Sequence, residues 1–414
     1  MRPRSGWLRR LYYRIGIHAA PPGTLLFFLH RRMRALTRRR LNRYASGDIF
    51  ARSRFGGAPY YDIARIRRAR QVDGLALIFF MGLGDYLFAT PAIEALRLAF
   101  PGLPIYAYAS SSHDAVNSPL VGPMLRANRY IDAVFSYRGR PGRRWTDYDF
   151  RDCLKDVPKN FVILPVIYDV DPLVFHRVTS VMETFNLPVR WPVPPPILEP
   201  ARMSPAVAEI LAEIRRCARG HAARGVVCCH FDTRSSNYVY PGRDEVVRGL
   251  IETGYAVVSL TELKAPHPGA ITIDVARITP EDTIELLRAL RAEIRNLYIL
   301  SVNSVMWPIS SALGIANLGL HLFLDMSVHQ YLYPNIFVVT RHAYPRISPS
   351  RMFVAPEEGY EETPARNGPV LTNFAPRFVL DCFAGMAATL EANAAPPCLG
   401  QCARADPAAA EPAV

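Results

Sequence analysis

The sequence lacks any long apolar run. None of its 414 residues lies in a stretch of the roughly 18 unbroken apolar residues that a membrane-spanning helix needs. The apolar segment 24–29 is too short for the core of a secretion signal, and no small-residue cleavage site clearly follows it. These absences predict a protein of the cytoplasm.

Cysteine is sparse and irregularly placed. The chain has seven cysteines, an odd number without regular spacing, which does not fit a disulfide framework. Cys228 and Cys229 are neighbours in an apolar run and are predicted to fill core space. Cys398 and Cys402 lie in an Ala/Pro-rich tail, where a metal or redox role is an open alternative.

The signatures of several common chemistries are incomplete. Gly82 and Gly84 would begin a dinucleotide-binding fingerprint, but its third glycine would fall on Leu87. No Ser/His/Asp order or nucleophile elbow stands out. If residues 321–329 were helical, one face would carry three spaced polar residues, His321, Asp325 and His329. Their neighbours do not establish a helix, so we expect a hydrogen-bonded polar cluster and predict neither a metal nor a cofactor.

Acidic residues are nearly absent from the first 70 positions. This segment has 18 Arg, no Lys and only Asp48 and Asp62 as acids, a net charge of +16 in a chain whose total is +13. Aromatic and aliphatic residues are interleaved with the arginines, a pattern typical of a helix lying on an anionic membrane. Binding to nucleic acid or protein and a solvated basic tail are the alternatives. We expect a membrane surface as a partner and no nucleic acid.

The chain does contain alternating apolar strand patterns and helical patterns. They recur in two halves, separated by a segment with six prolines between residues 188 and 200. This order predicts an α/β protein of two Rossmann-like domains that face each other across a cleft. The predicted segments are a basic amphipathic arm (1–70), a first domain (71–190), a linker (191–205), a second domain (206–345), a C-terminal segment with a closing helix (346–395) and a disordered tail (396–414).

The strongest local feature is the run 74–85. Its apolar residues lead into Gly82 and Gly84, and the carboxylate of Asp85 follows at once. Such a run predicts a strand buried on both faces, and the glycines let a ligand approach the backbone closely. The dipeptide Thr90–Pro91 is predicted to begin the next helix. Asp85 is then expected at the carboxyl end of the strand, where open parallel sheets bind ligands; a helix-capping role is the alternative.

A family resemblance lies in residues 81–96, which read MGLGDYLFATPAIEAL. This segment resembles the N-terminal signature of the heptosyltransferase-type glycosyltransferases, family 9, and the likeness extends loosely over residues 74–345. It implies the two-domain GT-B architecture, a nucleotide-sugar donor, a saccharide or lipid-linked acceptor, and a place in envelope glycan assembly such as the lipopolysaccharide core. It also implies that Asp85 is the catalytic base, which takes the proton of the acceptor hydroxyl in an inverting transfer.

Donor-binding residues are expected in both halves. The predicted set is Gly82, Gly84, Thr233, Arg234, Asn237, Glu262, Asn303 and Ser304. Thr233 and Arg234 fit the phosphate-binding loop that the resemblance implies. Arg243 is another source of positive charge, although either arginine can equally be a surface residue. Glu262 is the best match to the carboxylate that holds the donor ribose; an ordinary surface carboxylate is the alternative.

The resemblance is degraded after the strand that ends at Val302. Where the family has Asp-Ser/Thr-Gly-x-x-His, residues 303–308 read NSVMWP, and Asn237 stands at the place of a phosphate-binding Lys. Ser304 and the helix N-terminus after it can still face a diphosphate, but Asn303 brings no charge. We therefore predict a metal-independent glycosyltransferase, cytoplasmic and peripheral to the inner membrane. The alternative is a catalytically degenerate protein of the same fold that acts as a binding or scaffold partner at the membrane.

Overall fold

The computed structural model describes the greater part of the chain between residues 63 and 394. The described residues are 63–69, 71–79, 82–110, 121–137, 156–166, 178, 181–182, 185, 187, 193–221, 223–233, 238–274, 278–322, 333–343, 347–364 and 370–394. The predictions for most of the basic arm and for the tail lie outside this set. The described part consists of α-helices and mainly parallel β-sheets, which confirms the predicted α/β class. No helix within it is long and apolar enough to cross a membrane.

Four parallel strands form the first sheet, in the order β3-β2-β1-β4. They are β1 (Gly74–Phe79), β2 (Ile105–Ser110), β3 (Ala133–Tyr137) and β4 (Phe161–Pro165). The described helices of this part are α1 (Ile63–Ala69), α2 (Leu83–Ala99) and α3 (Val121–Ala127). All six residues of β1 are buried, so the predicted strand is confirmed. Ile63 is buried in the hydrophobic core that includes Leu75 and Leu77 of β1, so the end of the predicted arm is part of this core.

Seven parallel strands form the second sheet, in the order β13-β12-β11-β10-β5-β8-β9. In chain order, β5 (Gly225–His230) is followed by a hairpin of β6 (Asp232–Thr233) and β7 (Tyr238–Val239), then β8 (Tyr255–Ser259), β9 (Ala270–Thr272), β10 (Leu297–Val302), β11 (Ala316–Leu320), β12 (Ile336–Thr340) and β13 (Met352–Val354). From β9 to β12 this is the 3-2-1-4-5-6 order of dinucleotide-binding folds. The direction of winding reverses between β5 and β10, where such sheets bind ligands at their carboxyl edge.

Helices cover both faces of the second sheet. They are α4 (Pro205–His221), α5 (Arg243–Glu252), α6 (Pro280–Glu293), α7 (Met306–Leu313) and α8 (Pro376–Ala394), the last preceded by a hairpin of β14 (Tyr360–Pro364) and β15 (Val370–Phe374). Alternate residues of β5 enter different cores. Val226 and Cys228 pack in the core that includes α4, α6 and α7, whereas Val227 and Cys229 pack in the core that includes α5 and α8. Both cysteines are core residues, as predicted, and burial raises the pKa of the Cys228 thiol to about 12.

Helix α6 begins where the sequence predicts. Thr279 is its N-cap and Pro280 its first residue. The Thr279 hydroxyl accepts a hydrogen bond from the Asp282 N–H (3.1 Å), and the Asp282 carboxylate accepts one from the Thr279 N–H (3.0 Å). This reciprocal pair is a capping box, which satisfies two backbone donors at the helix start.

Helix α2 begins at Leu83, well before the predicted start. It runs through the dipeptide Thr90–Pro91, so the prediction that the helix starts there is wrong. Pro91 has no N–H to donate to the carbonyl of Leu87, one turn earlier. The Thr90 hydroxyl donates to this carbonyl instead (2.7 Å), and it accepts a hydrogen bond from the N–H of Ile197 (2.8 Å). These bonds let the helix continue through the proline, and Asp85 becomes its third residue.

The proline-rich segment 193–204 contains no helix or strand, as its composition predicts. Side chains of the second sheet's layers hold it in place. Arg288 of α6 donates to the carbonyl of Leu198 (3.2 Å), and the Tyr333 hydroxyl donates to another carbonyl of the segment (3.3 Å). The Tyr333 ring also stacks on Phe88 of α2, with centroids 6.3 Å apart. The segment and Tyr333 thus connect α2 with the second sheet.

Candidate functional site

The first turn of the candidate site joins β1 to α2. Gly82 is the N-cap of the helix, with an extended backbone (φ −71°, ψ 171°). Its carbonyl accepts hydrogen bonds from the N–H groups of Asp85 and Tyr86, both at 3.1 Å. Asp85 is half-buried, and a Cβ added to Gly82 would lie 3.8 Å from Asp85 Oδ2. A carboxylate in the first helical turn is stabilised by the helix dipole, so this position suits a helix-capping residue as well as a base.

The second turn joins β10 to α7. The Ser304 hydroxyl accepts a hydrogen bond from the N–H of Met306 (3.3 Å), and Val305 stands at the N-cap without a side-chain cap. Asn303 is partly committed to the fold, because its Oδ1 accepts a hydrogen bond from the N–H of Leu322 (3.4 Å). The Trp307 N–H donates to the Ser304 carbonyl (3.2 Å), and Pro308 has no N–H. The Ser304 hydroxyl, which can donate, and the positive end of the helix dipole are therefore what this turn offers to an anion.

The two turns are in contact. Gly84, the second residue of α2, faces Val305: an added Cβ would lie 3.6 Å from Val305 Cα and 3.9 Å from its nitrogen. The N-terminal turns of α2 and α7 therefore lie against each other, and each contributes partial positive charge from its backbone N–H groups. The structure thus brings together the predicted residues of both turns, Gly82, Gly84, Asp85, Asn303 and Ser304.

A histidine and a carboxylate lie at the carboxyl end of β5. His230 Nε2 is 3.0 Å from Asp232 Oδ1, and His230 pairs with Ser301 of β10 at the point where the sheet's winding reverses. Burial works to raise the pKa of Asp232, but the hydrogen bond and charge of His230 outweigh it, so this pKa lies below its usual value. Sequence reasoning missed this pair. The available signal was a pair of polar residues directly after the buried run 225–229.

The predicted phosphate loop follows β5 and is described only in part. Thr233 pairs with Tyr238 in the hairpin of β6 and β7. Arg234 and Asn237 fall between these strands, outside the described residues. Their roles in donor binding stay predictions.

Glu262 lies three residues after β8 and is exposed. Its backbone carbonyl accepts a hydrogen bond from Arg243 Nε (2.8 Å), an atom that also lies 3.7 Å from the Asp244 carboxylate. Arg243 thus fixes the loop that carries Glu262. Because β8 adjoins β5 and β5 adjoins β10 in a parallel sheet, Glu262 shares the carboxyl edge of the sheet with Asn303.

Of the three residues considered as an alternative metal site, the structure describes one, His321. His321 directly follows β11 and is not helical, and Asp325 and His329 lie outside the described residues. Burial lowers the pKa of His321 to about 3, so its imidazole is neutral at pH 7. Within the described part of the chain, no three or more His, Cys, Asp or Glu side chains are placed to hold a metal ion.

Comparison with known proteins gives matches among solved structures. No protein-family model and no curated protein matches the sequence. The Escherichia coli ADP-heptose lipopolysaccharide heptosyltransferase II is 11% identical, with a TM-score of 0.47 over 77% of this chain and 99% of that one. A glycosyl transferase family 9 protein from Veillonella parvula is also 11% identical, with a TM-score of 0.42 over 63% of this chain and 84% of that one. Residues 81–96 resemble the same family.

A third glycosyltransferase is found by the same comparison. It is TibC from enterotoxigenic E. coli, which is dodecameric and contains iron. It is 12% identical, with a TM-score of 0.38 over 64% of this chain and 61% of that one.

Proposed function

We propose that this protein is an inverting glycosyltransferase, which moves a sugar from a nucleotide-sugar donor to a hydroxyl group of a saccharide or glycolipid. The contact between Gly84 and Val305, at 3.6 Å for an added Cβ, is the observation that carries the proposal. It brings the turn that carries Asp85 against the N-terminal turn of α7, which supports a base and a phosphate site close to each other. A base and a phosphate site at close range are what such a transfer needs.

Asp85 is the proposed base. The acceptor oxygen attacks the anomeric carbon of the donor sugar from the side opposite the phosphate, and a new C–O bond forms. The bond from this carbon to the phosphate oxygen breaks, and its electron pair leaves with the nucleoside diphosphate. The acceptor proton passes to the Asp85 carboxylate, which makes the attacking oxygen a better nucleophile.

The diphosphate is proposed to lie at the N-terminal turn of α7. The positive end of its helix dipole and the Ser304 hydroxyl would stabilise the charge that develops on the leaving group, so that no metal ion is required. The Asn303 amide N–H groups would donate to a hydroxyl of the donor sugar. The other proposed contacts are Thr233, Arg234 and Asn237 for phosphate, Glu262 for the ribose, and Gly82 and Gly84 for close approach of the ligand.

The architecture and place of action belong to the same proposal. The two sheets would be the cores of two domains in a GT-B arrangement, with the acceptor against the first. The resemblance of residues 81–96 favours an envelope glycan as acceptor, with a heptose among the candidate donor sugars. The net charge of +16 in residues 1–70 favours a cytoplasmic protein that is peripheral to the inner membrane and uses a lipid-linked acceptor.

The first test is calorimetric titration with ADP, GDP and UDP in the presence of EDTA. Saturable binding of one nucleotide at micromolar affinity is expected, and its base identifies the donor class for turnover assays. Binding that appears only after a divalent cation is restored would contradict the metal-free site. If none of the three nucleotides binds under either condition, the transferase proposal is wrong.

A catalytically degenerate scaffold is the second candidate. Two properties of Asn303 favour it. The Asn303 side-chain oxygen already accepts a hydrogen bond from the N–H of Leu322. The Asn303 side chain is also neutral, whereas the family that residues 81–96 resemble has a charged Asp at this position. This candidate predicts that the full chain binds none of the nucleotides and no donor sugar, yet still binds anionic vesicles. Turnover of any nucleotide-sugar would exclude it.

A further inference from the structure

Three buried polar side chains lie directly beneath the turn that carries Asn303 and Ser304. They are Ser301 on β10, Ser310 on α7 and Asn317 on β11, and each is 0% exposed. Apolar residues of similar size would fill these positions without the cost of desolvating hydroxyl and amide groups. Their hydrogen bonds therefore need a reason beyond filling space.

The three side chains form one directed chain of hydrogen bonds. The Ser301 hydroxyl donates to Asn317 Oδ1 (3.1 Å), and Asn317 Nδ2 donates to the Ser310 hydroxyl (3.1 Å). The Ser310 hydroxyl then donates to the backbone carbonyl of Trp307 (2.9 Å). Each donor in the chain has an acceptor, and such buried chains strengthen one another because the surroundings have a low dielectric constant.

The chain encloses the candidate phosphate turn. Ser301 precedes Asn303 by two residues at the end of β10, and Ser310 lies in α7 after the turn. Both ends of the segment 302–309 are therefore tied to the same side chain, Asn317. Helix α7 has only eight residues and no side-chain N-cap, so the packing of Trp307 and this chain of hydrogen bonds hold its position.

We propose that Asn317 is a positioning residue for the phosphate turn. By holding Ser301 and Ser310, it sets the position of α7, and with it the contact of Val305 against Gly84. This inference rests on the proposed function only in its use of the turn for a nucleoside diphosphate. The positioning itself is a property of the fold and can be measured without a ligand.

A matched pair of variants on α7 tests the proposal. The hydroxyls of Ser310 and Ser311 both donate a hydrogen bond to the Trp307 carbonyl, at 2.9 and 2.8 Å. Of these two serines, Ser310 alone also accepts a hydrogen bond from Asn317. Ser310→Ala removes the link to β11 and leaves the Asn317 amide without its acceptor, whereas Ser311→Ala removes a hydroxyl from the same helix and leaves the link intact. Val379→Ala, in the core on the opposite face of the sheet, controls for general loss of stability.

Two readouts are made on the full chain. Hydrogen exchange of the peptide covering residues 303–309 should be roughly tenfold faster in Ser310→Ala, as expected when a buried bond is lost, and unchanged in Ser311→Ala and Val379→Ala. The affinity for the nucleotide among ADP, GDP and UDP that the unaltered protein binds should fall by a similar factor in Ser310→Ala alone.

The outcomes separate the two proposals. If Ser310→Ala behaves like Ser311→Ala in hydrogen exchange, Asn317 does not position the turn, whatever happens to nucleotide affinity. If exchange is faster in Ser310→Ala but the unaltered protein binds no nucleotide, the positioning stands and the transferase proposal fails. Faster exchange together with full nucleotide affinity would show that the diphosphate does not use this turn.

Discussion

Asp85 owes its position to the residues around it. Gly82 takes an extended conformation and closes the first turn of α2 with its carbonyl. Gly84 has no side chain, which lets the turn lie directly against Val305. The Thr90 hydroxyl satisfies the carbonyl that Pro91 leaves open, so that the helix behind Asp85 stays regular. The carboxylate is thereby held at a helix N-terminus, where its negative charge is favoured.

At this scale we predict that Asp85→Asn abolishes transfer and spares nucleotide binding. The amide cannot accept the acceptor proton, and loss of a general base lowers turnover by about 10²- to 10⁴-fold. The free energy of unfolding should fall by only about 0.3–1 kcal/mol, the contribution of a charge at a helix end. Turnover is measured with the nucleotide-sugar that calorimetry identifies.

The matched control for Asp85→Asn is Asp73→Asn. The Asp73 carboxylate accepts a hydrogen bond from Asn160 (2.8 Å) just before β1, at the opposite end of the strand from the site. Its neutralisation should leave turnover unchanged. Equal losses in the two variants, or full turnover in Asp85→Asn, would remove Asp85 from the role of base.

At the scale of the elements, the packing of α7 directly affects the candidate site, because Ser304 directly precedes the N-cap residue of this helix. Trp307 in its first turn is fully buried and lies over Gly319 of β11. A Cβ added to Gly319 would come within 2.4 Å of Trp307 Cζ2, closer than any real contact. The indole cannot move aside without moving the helix, because it is part of a rigid ring system in a close-packed core.

We therefore predict that Gly319→Ala weakens nucleotide binding and lowers stability. Overpacking of this kind costs about 1–3 kcal/mol in the free energy of unfolding, and the shift of α7 should displace Ser304 from the proposed phosphate site. Chemical denaturation and calorimetric titration measure the two effects. Gly102→Ala serves as control, since a Cβ there meets no atom within 4 Å. If Gly319→Ala is clearly destabilised but binds the nucleotide with unchanged affinity, the position of α7 does not control nucleotide binding.

At the scale of the whole molecule, one of the two hydrophobic cores of the described residues extends through both sheets. It includes Leu75 and Leu77 of β1 together with Val226 and Cys228 of β5. The stack of Phe88 on Tyr333 and the hydrogen bond from Ile197 to Thr90 belong to the same region. The relative placement of the two turns is therefore stabilised by buried apolar area as well as by the contact between Gly84 and Val305.

Global stability should depend on pH through His321. Burial lowers its pKa from 6.5 in the unfolded chain to about 3 in the folded one, so between these values the unfolded state binds more protons. The contribution of His321 is thus complete above about pH 6.5 and is lost as the pH falls toward 3, by up to about 1.4 kcal/mol per pH unit. Urea denaturation between about pH 7 and pH 5 should show this slope, and His321→Asn should reduce it.

The control for the pH experiment is His267→Asn. His267 is half-buried, and its Nδ1 accepts a hydrogen bond from the N–H of Gly269 (3.4 Å). The variant loses a histidine without altering the strand end at His321. A slope that His321→Asn does not change would show that the buried imidazole does not control the acid response.

The basic arm should direct the whole molecule to anionic lipid. Because Ile63 is buried in the core that includes β1, removal of residues 1–62 is expected to keep α1 in place. We predict that this deletion abolishes binding to phosphatidylcholine vesicles that contain phosphatidylglycerol, since each arginine near such a surface contributes about 1 kcal/mol. Pure phosphatidylcholine vesicles should not bind either form. Full binding by the deleted chain, or selective loss of RNA binding, would contradict the membrane role of the arm.

Much of the fold can be predicted from the sequence because its signals are local. Largely apolar runs predict β1, β5 and β10, since a strand buried on both faces of a parallel sheet is mostly apolar. Thr279 and Pro280 predict the start of α6 through a capping box made within four residues. Asp85 is expected at the carboxyl end of the first strand for the same reason, because it directly follows the run and its glycines.

Only the tertiary structure decides what depends on residues far apart in the chain. The Thr90 hydroxyl, which donates to the Leu87 carbonyl within α2, also accepts a hydrogen bond from Ile197, more than a hundred positions away. The turn with Gly84 meets the turn with Val305 because α2 packs against α7, and no local pattern encodes that contact. By itself, the sequence determined the buried strands and the carboxylate beside them. The packing of α2 against α7 determined which second turn lies against the turn that carries this carboxylate.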